Sequence, residues 1–181
     1  YNAEFILTLS NDSSKCVSHI FPELKNKIIK KYPETYLDFN SIGKGYGIDV
    51  IARFLESKNI RNYLVEIGGE VRVKGTKPDG KLWSIQLENP NTDGTRSAYS
   101  FLKLTNISMA SSGNYRKFRL STDGTKYVHT INPKTGFAKE SNLLAATVIA
   151  ELDCADVDAY ATAFMAMGLN KAIQFLETHK N

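Results

Sequence analysis

Short strand-like runs separated by turn residues fill the stretch from residue 63 to 150, and helical periodicity is confined to the flanks. Tyr63 to Ile67 and Val71 to Lys74 flank Gly68-Gly69, a pair that permits a tight hairpin. Trp83 to Leu87 and Tyr99 to Leu104 read as further strands, with loop chemistry between them in Asn89-Pro90-Asn91-Thr92-Asp93-Gly94. Lys117 to Leu120 and Tyr127 to Ile131 flank Asp123-Gly124, a second hairpin signal, and the apolar run Leu143 to Ala150 predicts a buried strand. Glu4 to Ser10 alternates apolar and polar residues, as a strand does. Helical spacing occurs over Pro22 to Lys31 and over Gly43 to Lys58, whose stripe is Ile48, Ile51, Phe54 and Leu55. Two more helices are predicted over Cys154 to Met167 and Asn170 to His179, the second packing through Ala172, Ile173, Phe175 and Leu176. Strands clustered between helices predict an α+β fold of mixed or antiparallel sheets with packed helices, rather than a βαβ repeat.

At 181 residues the chain is long enough for one domain with a sizeable core, and residues 1–181 are read as a single domain. The net charge of +4 is spread along the chain, which argues against a nucleic-acid surface but would not repel an anionic dinucleotide. No apolar run approaches the roughly 18 residues of a membrane span. Cys16 and Cys154 cannot make a zinc site by themselves, and His19, His129 and His179 show no ligand spacing. Both cysteines are read as free or buried thiols.

Four stretches could carry chemistry. In Asp38 to Asp49, glycines at positions 43, 45 and 47 open a helical stripe, with Lys44 among them. Unhindered backbone N–H groups at a helix start, backed by a lysine, can bind an anion; the spacing fits neither the Walker loop nor the G-x-G-x-x-G fingerprint. In Val65 to Val71, Glu66 and Glu70 flank the glycine pair, either as an acid/base pair or as a polar hairpin tip. The third stretch runs from Met109 to Gly136. Its Ser111, Ser112 and Gly113 offer hydroxyls and accessible backbone, and His129 lies in a predicted strand beside turn residues. In Ala155 to Phe164, Asp158 and Thr162 are four apart on a helix and share a face, two hard oxygen donors of the kind magnesium accepts. Each stretch taken alone is equally at home as a structural turn, strand or helix start.

Taken together and in this order, the stretches resemble the FAD:protein FMN transferase family, also called ApbE. The family pattern D-x-x-x-I-A-K-G-Y-x-x-D appears as Asp38 to Asp49, and the G-G hairpin followed by V-K-G as Gly68 to Gly75. T-S-G-[ND]-Y appears as Ser111 to Tyr115, H-x-I-[DN]-P-x-T-G as His129 to Gly136, and A-D-A-x-A-T as Val157 to Thr162. The match spans roughly residues 36 to 168, and motifs in register are specific where one alone is not. The resemblance implies an ApbE-like, T-fold-like architecture. It also implies magnesium at Asp158 and Thr162, completed by the backbone carbonyl of Gly43, where the family usually has alanine. FAD would contact Lys44, Tyr46 and Asp49 together with Ser111, Ser112 and Gly113, and His129 would be the base that activates an acceptor hydroxyl.

The implied reaction moves FMN from FAD onto a threonine or serine of a partner redox protein, with release of AMP. The alternatives are an FAD pyrophosphatase giving FMN and AMP, or a non-catalytic FAD-binding protein. Asp156 is a rival to Asp158, which the four-residue spacing to Thr162 favours, and Asn132 stands where many members have aspartate. Only about 35 residues precede the glycine-rich segment, so the chain is expected to be a shortened or trimmed member. By the resemblance the family is usually exported to the periplasm or cell envelope and often anchored by a lipid; this chain carries no lipobox or signal.

Overall fold

The structure is a computed structural model, and it describes residues 5–7, 28–30, 34, 38–115, 118–120, 122, 126–128, 130–131, 138 and 142–179. The chain divides into two compact units, Tyr1–Asp38 and Phe39–Asn181. In the first, β1 (Phe5–Leu7) pairs antiparallel with β2 (Ile28–Lys30), Ile6 lying opposite Ile29. The helix expected over residues 22–31 is therefore a strand at 28–30. Two adjacent β-branched residues favour an extended backbone once a partner strand is present. The remainder of that expected helix lies outside the described residues.

The second unit is built on a four-stranded antiparallel sheet. Its strands are β3 (Tyr63–Ile67), β4 (Glu70–Lys74), β7 (Ile107–Gly113) and β10 (Ala145–Ala150), in the spatial order β10-β7-β4-β3. β5 (Trp83–Glu88) and β6 (Ala98–Leu104) form a hairpin, as do β8 (Phe118–Leu120) and β9 (Lys126–Val128). The helices are α1 (Gly43–Ser57), α2 (Cys154–Met167) and α3 (Leu169–Thr178). The β3–β4 turn needs its glycine pair. Gly68 and Gly69 sit at φ of 63° and 106°, where a side chain is strained.

Three layers result. α1 and α2 cover one face of the sheet over a core of Ile48, Ala52, Tyr63, Val65, Ala110 and Val157. On the other face Val71, Val73 and Met109 meet Trp83, Ile85, Leu102 and Leu104 of the β5–β6 hairpin. β4 thus supplies both layers by simple alternation.

Three sequence expectations change. Residues 107–113, to which the sequence assigned no element, form a strand, because β7 is hydrogen-bonded to β4 on one side and β10 on the other. Pairing on both edges overrides the weak strand preference of Ser and Gly. β10 lies at the outside of the sheet and is only partly buried, with Ile149 39% exposed. On α3, Ala172 is buried and Phe175 packs on Tyr160 and Phe164, whereas Ile173 and Leu176 are exposed. The Asp123-Gly124 turn lies outside the described residues.

Candidate functional site

The site forms where the N-termini of α1 and α2 meet. An α-helix begins with backbone N–H groups that lack intrahelical partners. Neither helix supplies its own cap, since Ile42 has no side-chain acceptor and the Asp153 side chain makes no cap bond. Each is capped by the other. Asp49, from the second turn of α1, accepts the N–H of Cys154 at Oδ1 and of Ala155 at Oδ2, both at 2.9 Å. Asp158, from the second turn of α2, accepts the N–H of Gly45 at Oδ2, 3.0 Å away. Both carboxylates therefore sit at the positive end of the opposite helix dipole.

So close a crossing requires glycine. A Cβ on Gly45 would lie 2.6 Å from the carbonyl carbon of Cys154 and 2.7 Å from Cα of Ala155, and closer still to the Cys154 oxygen. A Cβ on Gly43 would meet nothing within 4 Å, so that position accepts the alanine usual in the family pattern.

Asp49 is completely buried, and Oδ1 also receives Arg72 Nη1 at 2.5 Å. The same guanidinium nitrogen bonds Asp153 Oδ1 at 2.5 Å, and Arg53 holds Asp153 Oδ2. Burial opposes the charge on Arg72, but the bonds to Asp49 and Asp153 outweigh it and push its pKa above the usual arginine value. Asp49 thus fixes where α2 begins, and with it the placement of Asp158 and Thr162.

The helix-facing side of β4 carries a second charged group beside the first. Glu70 is 1% exposed, and its Oε2 lies 2.6 Å from Lys44 Nζ in the first turn of α1. The contact is an ion pair, and no other donor reaches this buried oxygen. Burial raises the Glu70 pKa against the pull of Lys44, and the negative charge of Asp158 raises it further. Burial also raises the Asp158 pKa, opposed by the Gly45 N–H and by Lys44. The Lys44 ammonium thus touches one buried carboxylate, Glu70, and lowers the pKa of a second, Asp158, only through its charge. Glu66 does not join them: it faces the other way, is exposed, and accepts the N–H of Gly69 in its own turn at 2.7 Å.

Thr162, one turn beyond Asp158, lies with its Oγ1 3.2 Å from Ser112 Oγ. Ser112 projects from β7 toward the helices. Ser111 projects to the opposite face and bonds Thr147 Oγ1 at 2.8 Å across the strand pair. Gly113 is covered by the Tyr115 ring, 2.5 Å from where its Cβ would be. Tyr46 is exposed on α1. Asp156 lies elsewhere, in a surface depression with Glu56, Arg72, Lys74 and Asp153. Cys154 is a buried free thiol whose pKa burial pushes up to about 12, so it is inert as a nucleophile. Cys16 and His129 lie outside the described residues.

Of the expected site residues, the structure brings Asp158 to the start of α1, which Gly43 and Lys44 open, joins Thr162 to Ser112, and commits Asp49 to capping. Glu70 as a buried partner of Lys44, and Arg72 with Asp153, were not singled out from sequence. The signal available was Glu70-Val71-Arg72-Val73-Lys74, a strand whose alternate positions are all charged.

The sequence model of the ApbE family matches residues 8–181. The chain belongs to the ApbE family. It is 40% identical over 153 residues to an FAD:protein FMN transferase of Haemophilus influenzae, covering 84% of this chain and 44% of that protein. It is 38% identical over 155 residues to the FAD:protein FMN transferase of Vibrio cholerae, covering 86% and 46%. The solved flavin transferase ApbE of Vibrio cholerae superimposes with a TM-score of 0.74 at 37% identity, over 86% of this chain and 48% of that one. The apo flavinyl transferase ApbE of Pseudomonas stutzeri gives a TM-score of 0.66 at 36% identity, over 78% and 42%. These neighbours bear out the α+β, ApbE-like fold. The chain spans about half the length of the curated relatives it matches.

Two of the expected residues, Asp158 and Thr162, are hard oxygen donors of the kind magnesium accepts, and Asp158 is buried. Among the described residues no three His, Cys, Asp or Glu side chains converge on one point. Magnesium does not demand such a cluster, because it keeps waters and takes phosphate oxygens as ligands.

Proposed function

We propose that this ApbE-family chain is the flavin-binding, magnesium-dependent part of an FAD:protein FMN transferase. It would join FMN from FAD through a phosphoester bond to a threonine or serine of a redox protein, releasing AMP. The observation that carries this reading is the run of five family motifs in one chain, with Asp158 of α2 bonded to the α1 turn that carries Lys44. The names of the relatives support the same activity.

Asp158, Thr162 and the Gly43 carbonyl would hold magnesium, which neutralises charge developing on a pyrophosphate. The start of α1 offers its backbone N–H groups to an anion, and Lys44 adds a positive charge beside them. Ser112 orients Thr162 through their hydroxyl contact. His129 is assigned as the base that takes the proton of the acceptor hydroxyl, a poor nucleophile at neutral pH. Tyr46, Ser111 and Gly113 keep the flavin-binding roles that the resemblance gives them. Asp49 contributes by fixing α2 rather than by touching the ligand. An extracytoplasmic location, with a lipid anchor outside this chain, is proposed from the family alone.

The test is incubation with FAD, with and without magnesium and with and without a threonine peptide, followed by chromatography and mass measurement. Magnesium-dependent AMP and a peptide heavier by FMN are expected. AMP and free FMN with the peptide unlabelled would favour a pyrophosphatase. Intact FAD in every tube would leave a flavin-binding protein.

A further inference from the structure

Lys44 occupies an unfavourable place for a cation. It is in the first turn of α1, at the positive end of the helix, and that turn contains no acidic residue. Its aliphatic stem lies across the β3–β4 turn. A Cβ on Gly68 would come within 3.3 Å of Lys44 Cδ and within 3.9 Å of Nζ. The ammonium ends 2.6 Å from Glu70 Oε2, and the Lys44 side chain is still 45% exposed while Glu70 is 1% exposed. One half-exposed cation is therefore paired with the buried Glu70, while a second buried carboxylate, Asp158, is bonded to the backbone N–H of the next residue, Gly45. When both are ionised, the two carboxylates carry one more negative charge than Lys44 supplies, and no donor other than Lys44 reaches Glu70 Oε2.

We propose that Lys44 is a displaceable internal counter-ion held by Glu70, and that a divalent cation arriving at Asp158 takes over its task and frees the ammonium for an anionic ligand. Glu70 is then a positioning residue, acting on the ligand through Lys44. The inference rests on the proposed magnesium site. It makes cation and pyrophosphate binding cooperative, since each ligand removes a cost that the other would meet.

The experiment measures binding of manganese(II), as a probe for magnesium, by loss of the free-ion electron paramagnetic resonance signal at one fixed pH without FAD. Wild type, Lys44→Met and Glu70→Gln are compared, and FAD binding to each is measured separately in chelator. Lys44→Met is expected to bind manganese about fivefold or more tighter than wild type, because the competing cation is gone, and Glu70→Gln more weakly. In chelator, Glu70→Gln is expected to bind FAD more tightly than wild type, because Lys44 is no longer held. Unchanged or weaker manganese binding by Lys44→Met overturns the counter-ion role even if Glu70→Gln does not fold. If neither wild type nor any variant binds manganese, the magnesium site itself fails and this inference falls with it.

Discussion

The two faces of β4 solve the same packing problem with opposite chemistry. Val71 and Val73 bury apolar surface against the β5–β6 hairpin. Glu70, Arg72 and Lys74, the alternate residues, each pair with a charged residue of α1: Lys44, Asp49 and Glu56. Apolar packing is non-directional and tolerates small adjustments. A buried ion pair is directional and is a weak source of net stability, because desolvation offsets much of the attraction. A protein that retains two pairs with a buried carboxylate on one strand face, Lys44–Glu70 and Arg72–Asp49, gains position more than stability from them. The start of α1, which carries Lys44 and is capped by Asp158 of α2, lies on that charged face.

The comparison is broken most strongly at Asp49. Asp49→Ala leaves Arg72 without its buried partner and two α2 N–H groups uncapped. A loss of about 3–5 kcal/mol is expected in urea unfolding. A loss under about 1 kcal/mol would show that the charged face does not place α2. Gly45→Ala tests the crossing itself, since its Cβ meets the Cys154–Ala155 backbone. A cost of about 3 kcal/mol is expected, at the upper end for overpacking, while Gly43→Ala should stay within about 0.5 kcal/mol. On the apolar face, Val73→Ala should cost about 2 kcal/mol by lost burial and leave FAD binding unchanged. A change in FAD affinity would mean that the two faces are coupled.

The smallest effect is expected at the solvent end of the charged face. The Lys74 and Tyr63 bonds hold the Glu56 carboxyl below its usual 4.5. A carboxylate with a depressed folded-state pKa adds stability above its unfolded value, and that stability is lost as pH falls through the folded value. Lys74→Met should therefore cost only about 0.5 kcal/mol at neutral pH, because the pair is largely solvent-screened. The difference from wild type should shrink as pH falls below 4.5. A difference that persists in acid would assign the effect to packing of the lysine stem.

Much of this was legible in the chain. Local rules located the hairpin at Gly68-Gly69, because only glycine accepts those turn angles. Periodicity located α1 and α2, since a buried stripe must repeat every 3.6 residues. The four-residue spacing placed Asp158 and Thr162 together on α2. Local rules failed where a distant strand decided the outcome. β7 became a strand only through partners on both sides, and Ile28-Ile29 became one through β1. They also could not separate neighbours in the third stretch. Strand alternation sends Ser112 to the helices and Ser111 away from them, and that alternation is visible only once 107–113 is known to be a strand.

Sequence by itself therefore determined the α+β class, the turns that need glycine, and a set of candidate residues for the chemistry. Each of these depends on residues within a few positions of one another. Tertiary structure alone decided that Glu66 and Glu70 part company, that Asp49 caps a helix beginning at Cys154, and that Arg72 joins the two. Burial and charge pairing depend on distance in space, and the partners here lie far apart along the chain.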